Sequence, residues 1–195
     1  MSLATPMQSP KAKNVTLVDR TLDENLPGKE CPQTGGVWIS GEDYQNWVEQ
    51  QNSPEIDLEE LTHRLREVNV TPSESDTKAA LCPQCSRFLS RSRIETQPAF
   101  YLERCPQCGG IWCDRGEWEI LGQLGVRSQI EVLCSGEWQA RLREKQQSDR
   151  QRQATIDKLG EELATQVFKL AEALKNHPNG DFGVAYLMRQ FDRVD

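Results

Sequence analysis

Cys105-Pro-Gln-Cys-Gly-Gly-Ile-Trp112 repeats Cys31-Pro-Gln-Thr-Gly-Gly-Val-Trp38, with six identities in eight positions at an offset of 74 residues. The match continues in kind without a gap: Asp43 falls on Glu117, Tyr44 on Trp118 and Trp47 on Leu121. Such agreement at a fixed offset marks a diverged internal duplication. Each Gly-Gly-apolar-Trp run reads as a strand. It leads into Ser40-x-x-Asp43 in the first copy and Asp114-x-x-Glu117 in the second, close to the capping box that satisfies free amides of a first helical turn. Upstream, Asn14 to Asp19 alternates as a strand does, and Phe88 to Ile94 and Ala99 to Arg104 do the same in the second copy. The pattern predicts an α+β chain in which each copy is a hairpin followed by a short helix.

The second copy also carries Cys82-x2-Cys85-x19-Cys105-x2-Cys108. Two knuckles at this spacing can close a tetrahedron of four thiolates on one structural Zn2+. Pro83 and Pro106 stiffen the knuckles, and Gly109 and Gly110 let the backbone approach the sulfurs and aim amides at them. A catalytic zinc needs an open position with water, and no His or acidic residue sits at ligand spacing. A redox Cys-x-x-Cys calls for one pair heading a helix in a βαβ unit, which is not the pattern here. The metal ligands expected are Cys82, Cys85, Cys105 and Cys108, with the ion contributing roughly 10 to 16 kcal/mol of apparent binding energy to a module with little core.

In the first copy Thr34 takes the place of Cys108, and no Cys-x-x-Cys lies between Met1 and Glu30. This copy, residues 11–52, is expected to be a degenerate, metal-free relic held by Trp38, Tyr44 and Trp47. The rival reading has Cys31 completing a second site with Cys113 or Cys134. Cys113 matches Ile39 and reads better as a buried apolar substitute, and Cys134 as a packed thiol.

The segment from Cys82-Pro-Gln-Cys85 through Cys105-Pro-Gln-Cys-Gly-Gly-Ile-Trp-Cys-Asp-Arg-Gly-Glu117 resembles the TFIIB-type (transcription factor) zinc-finger family. The resemblance covers little more than residues 82–117. It implies a small zinc ribbon with rubredoxin-like hairpins and zinc on the same four cysteines, and it assigns no activity. The sequence departs from the family at Cys113, where an aliphatic residue is usual, and in carrying the degenerate first copy.

Around the copies the chain divides into a disordered N-terminus over 1–10, a helix over 53–68, a linker over 69–80, the ribbon over 81–127 and a helical region over 128–195. The first helix starts at Pro54 and spaces Leu58, Leu61, Leu65 and Val68 for one face. Residues 69–79 are rich in Thr, Ser, Asp and Pro. Ser135 can cap a polar helix running to Arg152. Beyond it Leu159, Leu163, Val167, Leu170 and Leu174 form a stripe that needs a partner surface. Asn176 to Gly180 ends that helix, and Phe182 to Phe191 can fold back on the stripe as a hairpin. The other outcome is a homodimer through the same stripe.

Composition limits the function. With 36% hydrophobic and 27% charged residues the chain suits small packed units rather than one large core. The net charge of −7, deepened by about two charges when four thiolates hold zinc, opposes wholesale attraction to nucleic acid. Nucleic-acid binding through Arg87, Arg91 and Arg93 is the alternative reading. No run approaches the apolar length of a membrane span, and seven cysteines without a disulfide pattern fit a reducing, cytoplasmic setting. No nucleophile-base pattern, phosphate loop or hydrolase motif is present, so no enzyme is expected. The expected role is a protein-interaction adaptor, with Trp112, Trp118 and the stripe from Ile156 to Leu174 as candidate contact groups; internal packing is the alternative for each, and the favoured one for the tryptophans.

Overall fold

The computed structural model describes residues 6–51, 57–71 and 73–191. It divides into two compact units, Met1–Gln139 and Ala140–Asp195. In the first, β1 (Val18–Thr21), β2 (Pro27–Glu30), β3 (Val37–Ile39), β4 (Ser90–Ile94), β5 (Phe100–Arg104) and β6 (Ile111–Cys113) form one antiparallel sheet in the order β1-β2-β3-β6-β5-β4. The two copies are therefore lobes of a single sheet, each contributing three strands. The α+β class holds.

The lobes meet where β3 pairs with β6, through Val37 with Cys113, Trp38 with Trp112 and Ile39 with Ile111. At the repeat offset Val37 corresponds to Ile111 and Ile39 to Cys113. Trp38 thus faces its own counterpart, while Val37 faces the counterpart of Ile39 and Ile39 that of Val37, the reciprocal pairing of an isologous two-fold interface with the axis between the tryptophans.

Strand alternation then sorts the side chains. Val37, Ile39, Ile111 and Cys113 point into one core with Tyr44 and Trp47 of α1 (Gly41–Val48), Leu61 and Leu65 of α2 (Leu58–Glu67), and Trp118 and Leu121 of α3 (Glu117–Gln123). The Trp47 and Trp118 rings lie 5.9 Å apart. Tyr44 Oη donates to the Arg127 carbonyl at 2.8 Å and accepts from the Ile130 amide at 3.0 Å, at the head of α4 (Ile130–Leu133). Trp38 and Trp112 point the other way, into a second cluster with Ala12, Leu17, Cys31, Ala80, Cys82, Leu89 and Cys105. Burying two whole indoles there contributes on the order of 4 kcal/mol each. The wedge is reciprocal as well: a Cβ on Gly36 would stand 2.3 Å from the Trp112 ring, and one on Gly110 2.2 Å from the Trp38 ring.

Four expectations shift. Within 1–10, residues 6–10 pair with the chain that follows: Gln8 bridges Thr16, and the Leu17 amide donates to the Met7 carbonyl at 2.8 Å. The alternating stretch from Asn14 supplies that bridge, and regular strand begins only at Val18. The first helix starts at Leu58, with Asp57 Oδ1 accepting from the Glu59 amide at 2.7 Å; Pro54 lies outside the described residues. The stretch over 69–80, read as a linker, packs on the second lobe because its polar groups find buried partners. Asp76 Oδ1 accepts from the Tyr101 amide at 3.1 Å, Ser75 Oγ donates to Asp114 at 3.1 Å, and Val70 enters the core.

Helix α5 (Gly136–Leu159) starts as expected, with Ser135 Oγ accepting the Trp138 amide at 3.1 Å. In the second unit α6 (Glu161–Lys175) and α7 (Gly180–Phe191) pack against each other as the predicted hairpin. The Arg152 guanidinium stacks over Phe168 at 4.0 Å. The hairpin covers the stripe only in part, leaving Leu163 49% and Leu170 45% exposed. Among the described residues no helix is long and apolar enough to cross a membrane.

Candidate metal centre

The first knuckle, Cys82 to Cys85, sits before β4, and the second, Cys105 to Cys108, joins β5 to β6. Hairpin hydrogen bonds hold both: the Cys82 amide to the Arg87 carbonyl at 2.7 Å, and the Cys105 amide to the Gly110 carbonyl at 2.8 Å. The register of β4 on β5 (Ser90 opposite Arg104) sets the knuckles side by side.

All four predicted sulfurs converge, within 4.8 Å of one another. Cys82 and Cys108 are 3.5 Å apart, Cys85 and Cys105 3.4 Å, and Cys85 and Cys108 3.9 Å. A tetrahedron with zinc–sulfur bonds of about 2.3 Å has edges of about 3.8 Å, so the donor set fits a four-thiolate ion of zinc's size. Cys82 and Cys105 are buried while Cys85 and Cys108 are half-buried.

The knuckle turns supply the amides expected around such a site. The Cys85 amide lies 3.4 Å from Cys82 Sγ. Burial opposes ionisation of Cys105, yet the amides of Cys108 and Gln107 and the thiols of Cys85 and Cys108 outweigh it and bring its pKa to about 7. Cys82 and Cys108 move the other way, chiefly through burial. The cluster thus readily forms one thiolate, and a cation must displace the remaining protons.

No other cysteine joins a group of three candidate ligands among the described residues. Cys113 is fully buried in the core, where burial holds its thiol well above the usual range, as an apolar substitute would be placed. Cys134 packs half-buried against the same core. Cys31 lies in the other lobe, wholly buried.

A second polar group, absent from the sequence reading, gathers behind β5 and β6: Asp76, Asp114 and Glu117. Asp114 does not cap α3 with its side chain. Its Oδ1 accepts from Trp112 Nε1 at 2.8 Å and from Ser75, while Glu117 Oε2 reaches back to the Asp114 amide at 2.8 Å, which is half of the expected capping box. Burial raises the pKa of Asp76, and that of Glu117 well above the carboxylate range. Next to them Glu103 is pushed up to about 7 by burial even though Lys11 Nζ lies 2.6 Å away and Arg91 Nε 3.3 Å. Lys11 and Arg91 supply the positive charge that faces Glu103 and Asp76. Asp114 and Glu117 were visible as a capping pattern, but nothing in the sequence placed Asp76 beside them.

The expected contact surfaces divide. Trp112 and Trp118 are core residues, 0% and 3% exposed, and cannot meet a partner; each completes a packed face of the sheet. Arg91 is committed to Glu103, Asp76 and the Tyr101 ring, 4.2 Å from the centroid, and Arg93 pairs with Glu95 at 3.2 Å. The apolar stripe stays open, and Arg87 is exposed. Comparison with known protein families, with curated proteins and with solved structures finds no match.

Proposed function

We propose that this chain is a zinc-binding protein in which Cys82, Cys85, Cys105 and Cys108 hold one structural ion, closing a TFIIB-type zinc ribbon, and that it serves as an adaptor for another protein. The observation that carries the reading is the convergence of four sulfurs, joined by no other His, Cys or carboxylate ligand among the described residues, at separations close to a tetrahedral edge. A cage filled by four thiolates leaves no coordination position for water or substrate, so its contribution is to folding. The adaptor role draws on the second unit, where Phe182, Tyr186, Met188 and Phe191 of α7 are exposed beside the half-covered stripe of α6. Apolar side chains left in water at this density mark an interaction surface. Nucleic-acid binding draws less support, because acidic neighbours neutralise Arg91 and Arg93.

Metal analysis of the purified chain tests the first part: one zinc per chain, removed by Cys105→Ser, is expected. A metal-free yet folded protein defeats it. For the second part, Leu170→Asp should abolish capture of any partner that wild type retains at high salt, whereas retention on DNA that falls steeply with salt would favour the nucleic-acid alternative.

A further inference from the structure

The first lobe reproduces the backbone hydrogen bonds of the second knuckle. The Cys31 amide donates to the Gly36 carbonyl at 2.8 Å, as Cys105 does to Gly110 at 2.8 Å. The Gly35 amide donates to the Cys31 carbonyl at 2.8 Å, and that of Gly109 to Cys105 at 3.0 Å. Gly35 and Gly109 share φ values of 73° and 72°. Burial agrees residue by residue from 31 to 38 and from 105 to 112.

The first knuckle is reproduced too, although its cysteines are gone. Ser9-Pro-Lys-Ala12 runs where Cys82-Pro-Gln-Cys85 runs in the other lobe. The Ser9 amide donates to the Val15 carbonyl at 2.7 Å, matching Cys82 to Arg87, and Leu17 pairs with Met7 as Leu89 pairs with Ala80. The bridges Gln8 with Thr16 and Leu81 with Phe88 correspond. Both turns contain a residue at positive φ, Asn14 at 60° and Ser86 at 59°, and Lys13 is the one extra residue before it in the first lobe.

We propose that Ser9, Ala12, Cys31 and Thr34 stand at the four ligand positions of a second metal pocket, one whose turns persist on hydrogen bonds and which takes zinc again once its three missing cysteines are supplied. The substitutes perform the turn-holding half of the ligands' work. Ser9 Oγ accepts the Ala12 amide at 3.1 Å, where Cys82 Sγ has the Cys85 amide at 3.4 Å. The Ser9 and Thr34 hydroxyls and the amides of Thr34 and Gln33 surround Cys31 Sγ, as Cys85 and Cys108 with the amides of Cys108 and Gln107 surround Cys105. Ala12 is buried, and Ser9 and Thr34 are half-buried. Two hydroxyls and a methyl group are poor donors for zinc, so a single thiol cannot retain the ion.

The test is the triple variant S9C/A12C/T34C, loaded with zinc and weighed intact by native mass spectrometry, with cobalt absorption as a second count of tetrahedral sites. One more ion per chain than the parent is expected. Adding Cys31→Ser to the triple variant should remove that extra ion. A folded triple variant carrying no more metal than the parent overturns the proposal. So does one that stays unfolded in excess zinc, since four thiolates in a preformed pocket would drive folding. The count is relative to the parent, so a metal-free parent that gains one ion would uphold this pocket while defeating the reading of the other lobe.

Discussion

The two lobes share one backbone and differ in what fills the space between their knuckles. In the second, four sulfurs converge, with Cys82–Cys108, Cys85–Cys105 and Cys85–Cys108 separated by 3.4 to 3.9 Å. In the first, Ser9, Ala12, Cys31 and Thr34 occupy the corresponding turns. Both lobes lean on the same central pairing of β3 with β6 and on the same two buried indoles. With zinc in the second lobe, as proposed, the difference teaches that a knuckle turn can be held in two ways. A metal cage contributes much energy and demands all four thiols. Hydrogen bonds contribute little apiece and suffice only where a packed neighbour shares the load.

That contrast breaks first, and by the largest margin, at matched cysteines. Cys105→Ser should lose most of the roughly 10 to 16 kcal/mol associated with a structural zinc and leave the second lobe unfolded. Cys31→Ser should cost only about 1 to 3 kcal/mol, for a polar group in a buried site. Thermal unfolding with and without zinc measures both, and equal losses would mean that the lobes are held alike. Next come the wedged glycines: Gly36→Ala and Gly110→Ala should each destabilise by about 1 to 3 kcal/mol, because the added methyl meets a ring. Urea midpoints that differ widely between them would deny the two-fold relation. A smaller asymmetry is expected at the indoles. Trp112 Nε1 donates to Asp114, whereas Trp38 Nε1 has no partner among the described residues. Trp112→Phe should therefore cost about 1 to 2 kcal/mol more than Trp38→Phe in chemical denaturation.

The smallest effect sharpens the comparison through pH. Glu117 has its pKa raised by burial, then by Asp114, well above the ordinary 4.5, so the folded chain holds its proton more tightly than the unfolded one. The stability it contributes is complete below about pH 4.5 and is lost as pH rises through the raised value. Glu117→Gln keeps the shape of the protonated acid without titrating. Its advantage over the parent should grow steadily between about pH 5 and pH 7. A constant difference across that range would show that Glu117 is ionised throughout. Asp43→Asn, at the matching half-buried position, serves as the comparison.

Much of the second lobe was legible because its signals are local. Each Cys-x-x-Cys pair and the Gly-Gly-Ile-Trp strand lie within a few residues, and the structure contains them. Less could be read of the first lobe. Cys31 and Trp38 announced the copy, but its first knuckle had exchanged both cysteines, leaving only Pro10 to match Pro83. The segment over 69–80 resembled a linker by composition. Its polarity in fact serves buried hydrogen bonds, and composition does not distinguish a group bonded to water from one bonded to Tyr101. The sequence leaves the tryptophans between contact and internal packing, with packing favoured, for a similar reason: alternation assigns Trp112 and Cys113 to opposite faces, yet cannot tell that both faces are covered.

The sequence alone carried the likeness of Cys31–Trp38 to Cys105–Trp112, the four-cysteine set and the Ser40 and Ser135 caps, since these depend on residue type and spacing along a few turns of chain. Only the tertiary structure decided that the copies share one sheet with Trp38 opposite Trp112, that Arg91 is neutralised, and that Asp76 meets Asp114 and Glu117. Those outcomes join segments tens of residues apart. They are chosen by which surfaces bury one another best, a quantity that exists only after the chain has closed on itself.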